Sequence, residues 1–296
     1  MSGEHALVRA EIGAPAKVVY DLLTDLGTWP WLFPWILHTE RLAGNSTEDV
    51  VRYWGVTADE TIRTWVSNRR LDPAALRMDF TQQGAVGEVT RLRGSWTCAE
   101  LPGGGTRVES DHEFEVGEGV PKAKVAAMFA GRGEVQLARL GECAENQVDV
   151  ERRTLSFVDT LFVSADAATV FGLLEEAGAW AGRLPGVRRS DVVRSESDVR
   201  FLELEWTAGE SRSARLSLAE QRKIVWKQLA PVAGIELSTG RWQCVPTPEG
   251  TVVVAAQLAI VEPSDEPVEQ VRRRVRRDLT GESVGLLTEV KKFAES

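Results

Sequence analysis

The chain repeats itself, and that repeat limits its possible folds more than any other feature. "APAKVVYDLLTDLGTWPWLFP", starting at Ala14, aligns without a gap with "ADAATVFGLLEEAGAWAGRLP", starting at Ala165. Tyr20 meets Phe171, Leu22 and Leu23 meet Leu173 and Leu174, and Trp29 meets Trp180. Further on, "RGSWTC" aligns with "TGRWQC", so Trp96 meets Trp242 and Cys98 meets Cys244. The offset shifts slightly between the two blocks, as loops of unequal length require. A period this long is not that of a solenoid. It describes two tandem copies of one domain, meeting within "ENQVDVERRT", and a chain of 296 residues can give each copy its own core. The expected domains are residues 1–147 and 148–296.

Each copy reads in the same order. An opening β-run ("ALVRAEI", "DTLFVSA") precedes a helix whose apolar residues, Val18, Val19, Leu22, Leu23 and Leu26 in the first copy, recur at helical spacing. Pro15 suits the start of that helix. Alternating runs follow, cut by turn signals such as "RLDPAAL" and "LPGGGTRV". A long helix closes each copy. The fold class is therefore α+β, with a curved antiparallel sheet wrapped around its last helix. A sheet gripping one helix does not close fully around it, and the gap is a natural pocket.

Composition removes several functions. A net charge of −9 argues against nucleic acid as a partner, because phosphates call for a basic surface. No run approaches the ~18 apolar residues of a membrane span, and "MSGEHALVRAEIG" lacks the pattern of a secretory signal. Three cysteines without C-x-x-C spacing read as reduced residues of a cytoplasmic protein, with no metal site. "LPGGGTRV" is a hairpin turn, without the spacing of a nucleotide loop. Ten Trp beside two Tyr leave two readings, a Trp-heavy core or a pocket walled by flat aromatic surfaces.

The stretch "TWVSNRR" favours the pocket. Strand alternation puts Trp65, Ser67 and Arg69 on one face, an indole, a hydroxyl and a guanidinium side by side. The second copy repeats this in "SRSARLSL", with Ser213 at the place of Ser67, Arg215 at that of Arg69, and Ser211 where Trp65 stands. An arginine in a partly apolar pocket keeps its charge. It is suited to an oxygen that becomes anionic during reaction.

The succession "APAKVVYDLLTDLGTWPWLFP", "TWVSNRRLDP" and "GSWTCAELPGGGTRV" is similar to the aromatase/cyclases of bacterial type II polyketide synthases, over almost the whole chain. The tandem arrangement resembles their two-domain subclass. The resemblance implies a START-like helix-grip fold in each half. It also implies a pocket for a poly-β-ketone delivered on an acyl carrier protein, other synthase subunits as partners, and no cofactor. The implied reaction is regiospecific aldol closure with dehydration to the first aromatic ring. Carried over by position, Arg69 is the pocket arginine with Ser67 beside it, Trp29, Trp65 and Trp96 are wall residues, and His112 is the pocket histidine. The second copy offers Arg215, Ser213 and Trp242, with Gln257 at the histidine position. The family's tyrosine near the second helix reads Ile36, and its amide or acid on the closing helix reads Arg132 in the first copy and Glu282 in the second. Proton transfer falls to His112, the best acid/base candidate by its ordinary pKa range, or to an ordered water, and Glu282 is a further catalytic candidate. Arg272, Arg273, Arg274, Arg276 and Arg277 form a basic run that would suit an acidic carrier protein. A non-catalytic START-like carrier of a lipid or polyketide is the alternative, as is a second domain that only docks partners.

Overall fold

A computed structural model describes residues 4–56, 62–183, 187–196, 198–206, 209–230 and 232–296. The chain divides into two compact units, Met1–Gln147 and Val148–Ser296. In the first, β1 (Glu4–Ile12) leads into helices α1 (Ala16–Thr24) and α2 (Trp29–Leu32). Then come β2 (Ile36–Gly44), β3 (Glu48–Val56), β4 (Ile62–Asp72), β5 (Arg77–Gln83), β6 (Val89–Glu100) and β7 (Thr106–Val116). The long helix α3 (Lys122–Glu145) closes the unit. The sheet order is β1-β7-β6-β5-β4-β3-β2, antiparallel throughout.

Helix α4 (Gln147–Arg153) leads to β8 (Thr154–Val163), α5 (Ala167–Glu175) and α6 (Trp180–Arg183). The meander of the second unit is β9 (Val187–Glu196), β10 (Val199–Trp206), β11 (Gly209–Leu218), β12 (Lys223–Gln228), β13 (Ile235–Thr247) and β14 (Gly250–Val261), closed by α7 (Val268–Ala294). Its order, β8-β14-β13-β12-β11-β10-β9, repeats that of the first. This is the α+β helix-grip arrangement in both halves. No described helix is long and apolar enough to cross a membrane.

The sequence accounts for these elements locally. Helix α3 buries Val125, Leu137, Leu140 and Cys143, residues that fall on one face at 3.6 per turn. Helix α7 buries Val271, Val275, Leu286, Leu287 and Val290 in the same way, with Ser283 as a polar break in the stripe. Asp166 caps α5, its Oδ1 accepting from the backbone N–H of Ala168 and Thr169 at 3.0 Å each. Strand alternation turns Thr106, Val108, Ser110, His112 and Phe114 of β7 inward. On β14 it turns Thr251, Val253, Ala255, Gln257 and Ala259 inward.

Two glycines shape the inner faces. A Cβ on Gly94 would stand 2.7 Å from the Phe80 ring, and one on Gly240 would stand 2.7 Å from the Trp226 ring. Glycine on β6 and β13 lets an aromatic side chain of the neighbouring strand lie across the sheet.

Candidate functional site

The second unit holds a cavity of about 570 Å³, large enough for a multi-ring or long-chain ligand. Strands β10 to β14 form one wall, and α7 forms the other with Asp278, Glu282 and Ser283. Arg215 stands on the β11 wall. Its guanidinium lies 4.3 Å from the Trp180 ring and 4.8 Å from the Trp242 ring, a cation set against two indoles. Among the described residues its Nε and Nη1 are buried without a hydrogen-bond partner, and it forms no ion pair. Burial alone pushes its pKa down to about 9, so it is positively charged at neutral pH.

Arg215 is not the cavity's only group of this kind. Trp226 and Trp242 Nε1, Gln228 and Gln257 Nε2, and the hydroxyls of Ser238 and Ser283 are also buried without a partner among the described residues, and all belong to residues lining the cavity. Each is a hydrogen-bond donor. Buried polar groups are normally satisfied, and this wall of donors can be met by the acceptor oxygens of a ligand or by water in the cavity. Glu282 reaches the same space from α7. Burial and then Asp278, one turn earlier, raise its carboxyl pKa, which favours the protonated, donating form.

The first unit uses the same positions differently. Arg69 is buried on β4, but its Nε and Nη2 donate to Asp49 Oδ1 and Oδ2 at 2.8 and 2.7 Å. Its Nη1 donates to the Thr24 carbonyl at 3.3 Å. Burial works against the charged form, but the hydrogen bonds and charge of Asp49 outweigh it, and the pKa of Arg69 is raised. Arg69 was expected as a fixed positive charge facing the substrate; in the structure that charge is matched by the buried carboxylate of Asp49. Ser67 is buried next to it on the same face.

Trp29 and Trp96 belong to the packed core of the first unit, and Trp29 Nε1 donates to the Leu23 carbonyl at 2.8 Å. Trp65 stacks on Tyr53, with ring centroids 5.2 Å apart and planes within 8°. His112 is enclosed by Phe129 at 5.2 Å and Phe80 at 5.4 Å, and burial lowers its pKa to about 4. At neutral pH it is a neutral imidazole, with no imidazolium proton to give, so of the two roles expected of an acid/base candidate its ring nitrogen suits that of acceptor.

Strand register establishes the equivalences. Arg69 is opposite Phe80, Phe80 opposite Gly94, and Gly94 opposite His112. Arg215 is likewise opposite Trp226, Trp226 opposite Gly240, and Gly240 opposite Gln257. Of the expected residues, the structure brings Arg215, Ser213, Trp242 and Glu282 to one cavity. Sequence reasoning did not single out Asp49, Trp226, Gln228, Ser238 or Ser283. Trp180 was within reach, because the repeat sets it against Trp29.

The basic run on α7 is largely neutralised. Arg272 pairs with Glu269 at 2.8 Å, Arg274 with Glu266 at 2.8 Å, Arg276 with Asp159 at 3.7 Å and Arg277 with Asp278 at 3.1 Å. Only Arg273 is without an ion pair among the described residues. A continuous cationic landing patch is not what the run forms.

Residues 12–140 match the family described as "Polyketide cyclase / dehydrase and lipid transport". The chain is 31% identical over 242 residues to the granaticin polyketide synthase bifunctional cyclase/dehydratase of Streptomyces virginiae, covering 78% of each chain. Among solved structures it is similar to the di-domain ARO/CYC StfQ from the steffimycin biosynthetic pathway (TM-score 0.86, 29% identity, 98% of each chain). It is also similar to the di-domain ARO/CYC BexL from the BE-7585A biosynthetic pathway (TM-score 0.87, 26% identity, 99% of each chain).

Proposed function

The chain belongs to the polyketide cyclase/dehydratase family, and from that premise we propose that its ring-closing chemistry takes place in the cavity of the second unit. The protein is an aromatase/cyclase of aromatic polyketide biosynthesis, and the reaction is aldol closure of a poly-β-ketone followed by dehydration. The observation that carries the location is Arg215, a buried cation with no counter-ion among the described residues, set in a wall of free donors.

Aldol closure needs the chain folded so that one enol carbon lies against one carbonyl. The cavity's walls supply that confinement, which replaces a costly search by a near-attack arrangement. The enol carbon attacks the carbonyl carbon, the carbonyl π electrons move to oxygen, and the developing alkoxide accepts hydrogen bonds from Arg215. The enol oxygen gives up its proton as it becomes a carbonyl, the alkoxide takes up one proton in exchange, and the new ring carries a hydroxyl. Dehydration then removes an α-proton and expels the hydroxyl. Glu282, its pKa raised by burial and Asp278, protonates the departing oxygen so that it leaves as water. We assign the α-proton to Asp278, which lines the same cavity and also pairs with Arg277. One proton is taken and one given, and the net change is loss of water.

Delivery on an acyl carrier protein fits a substrate that would otherwise cyclise at random in water. The family's synthase context supports that partner, and Arg273 is the residue of the basic run left free to meet it. The test is reconstitution with a minimal polyketide synthase and product analysis. We expect the wild-type chain to redirect products to a defined first ring. Arg215→Ala should fold and lose that activity by ~10²-fold, the scale of losing one oxyanion donor. Wild-type product distribution with Arg215→Ala would move the chemistry out of this cavity.

A further inference from the structure

The two pocket arginines differ in charge balance, and the register of the sheets locates the cause at one position. In the first unit β3 sets Asp49 directly opposite Arg69. In the second unit β10 sets Arg200 directly opposite Arg215. A like-charged pair facing across two strands destabilises a sheet, so cross-strand pairing does not account for an arginine at position 200.

Its contacts say what it does instead. In the first unit, the carbonyl of Thr24, the last residue of α1, accepts from Arg69 Nη1 at 3.3 Å. In the second unit the carbonyl at the same place is that of Glu175, the last residue of α5, and Arg200 Nη1 donates to it, also at 3.3 Å. Arg200 has taken over the helix-end acceptor that Arg69 uses. It also pairs with the Glu175 carboxylate at 3.6 Å, whose Oε1 accepts from Ser217 Oγ at 2.5 Å. Glu175 lines the same small cleft as Arg215 and is the carboxylate there. Tied to Arg200 and Ser217, it makes no pair with Arg215.

We infer that position 200 decides whether the pocket arginine is neutralised, and that Arg200 is a positioning residue that keeps Arg215 a free cation. It acts in two ways. It replaces the acid that would pair across the strands, and it holds Glu175 and the α5 carbonyl away from the guanidinium. Arg215 is left to the two indole faces, which accept a cation without cancelling its charge. The inference rests on the reading that Arg215 works inside the second cavity, and the test separates the two.

The probes are 2-naphthoate and 2-acetylnaphthalene, an anion and a neutral ketone of similar shape, titrated calorimetrically into the full chain. The readout is the ratio of their affinities. The wild type is expected to prefer the anion, and Arg215→Gln to abolish that preference. Arg200→Asp rebuilds the arrangement of the first unit and is expected to lower the ratio by about tenfold or more, the scale of one hydrogen bond to a charged group. Arg200→Ala frees Glu175 and is expected to lower the ratio by a smaller factor, with Arg200→Ala/Glu175→Gln restoring it. A merely structural role for Arg200 would give no such rescue. If the ratio responds to Arg215→Gln but not to either Arg200 variant, the inference is overturned and the cavity reading stands. If Arg215→Gln also leaves the ratio unchanged, the cavity reading itself fails. Should Arg200→Asp not fold, equal ratios in Arg200→Ala and the double variant overturn the inference on their own.

Discussion

Arg69 and Arg215 occupy one position of one motif and do different physical work. The Arg69–Asp49 pair is enclosed, with side chains 1% and 0% exposed, so neither charge is easily lost alone. Removing one partner of such a pair leaves an uncompensated buried charge, at a cost of about 3–5 kcal/mol. Asp49→Ala is therefore expected to destabilise the first unit by that amount in denaturant unfolding, with Asp49→Leu/Arg69→Met recovering most of it. A change within ~0.5 kcal/mol in Asp49→Ala, the range of an ordinary surface substitution, would show that the pair is not structural. His112 predicts a pH effect with a definite sign. Its pKa falls from 6.5 in the unfolded chain to about 4 in the fold, so between those values the unfolded state binds more protons. Its effect leaves stability intact above pH ~6.5 and erodes it as the pH falls toward about 4. His112→Phe should flatten the acid limb of the stability profile in that window, and an unchanged limb would assign it to other groups.

Strands β4 and β11 show how much one element reveals. Alternation alone placed Trp65, Ser67 and Arg69 on one face, and Ser213 and Arg215 likewise. What fills the space in front of them depends on side chains from other elements. In the first unit Trp65 stacks on Tyr53 and lies against Gly55, where a Cβ would be 3.1 Å from its ring. In the second unit Ser211 stands at that place and lines the open cavity. Ser211→Trp is expected to fill it and weaken 2-naphthoate binding by about tenfold or more, since an indole displaces ligand from a wall made of apolar and donor groups. Retained affinity in a folded Ser211→Trp protein would place the ligand elsewhere. Helix α7 carries the opposite lesson. Its arginine run reads as a cationic patch, but the acids that neutralise it include Asp159, distant in sequence on β8.

At the scale of the molecule, each unit has its own sheet, closing helix and apolar clusters. We therefore propose that a cut between Gln147 and Val148 leaves two fragments that fold alone. Each should melt cooperatively, and the second should keep an Arg215-dependent preference for 2-naphthoate. Absence of a cooperative melt in both would mean that the halves need one another.

The repeat, the strand and helix order, the inward face of the arginine strand and the polyketide cyclase resemblance were all legible in the sequence. They depend on local periodicity and on spacing along one chain, which the order of residues carries directly. The inequality of the two pockets was not. It depends on Asp49 standing opposite Arg69 while Arg200 stands opposite Arg215, on Glu175 being held, and on Trp65 or Ser211 facing the interior. Those are contacts between strands and helices separated by loops. Only the tertiary structure decides them, because the energy of a buried charge is set by the groups that surround it in space.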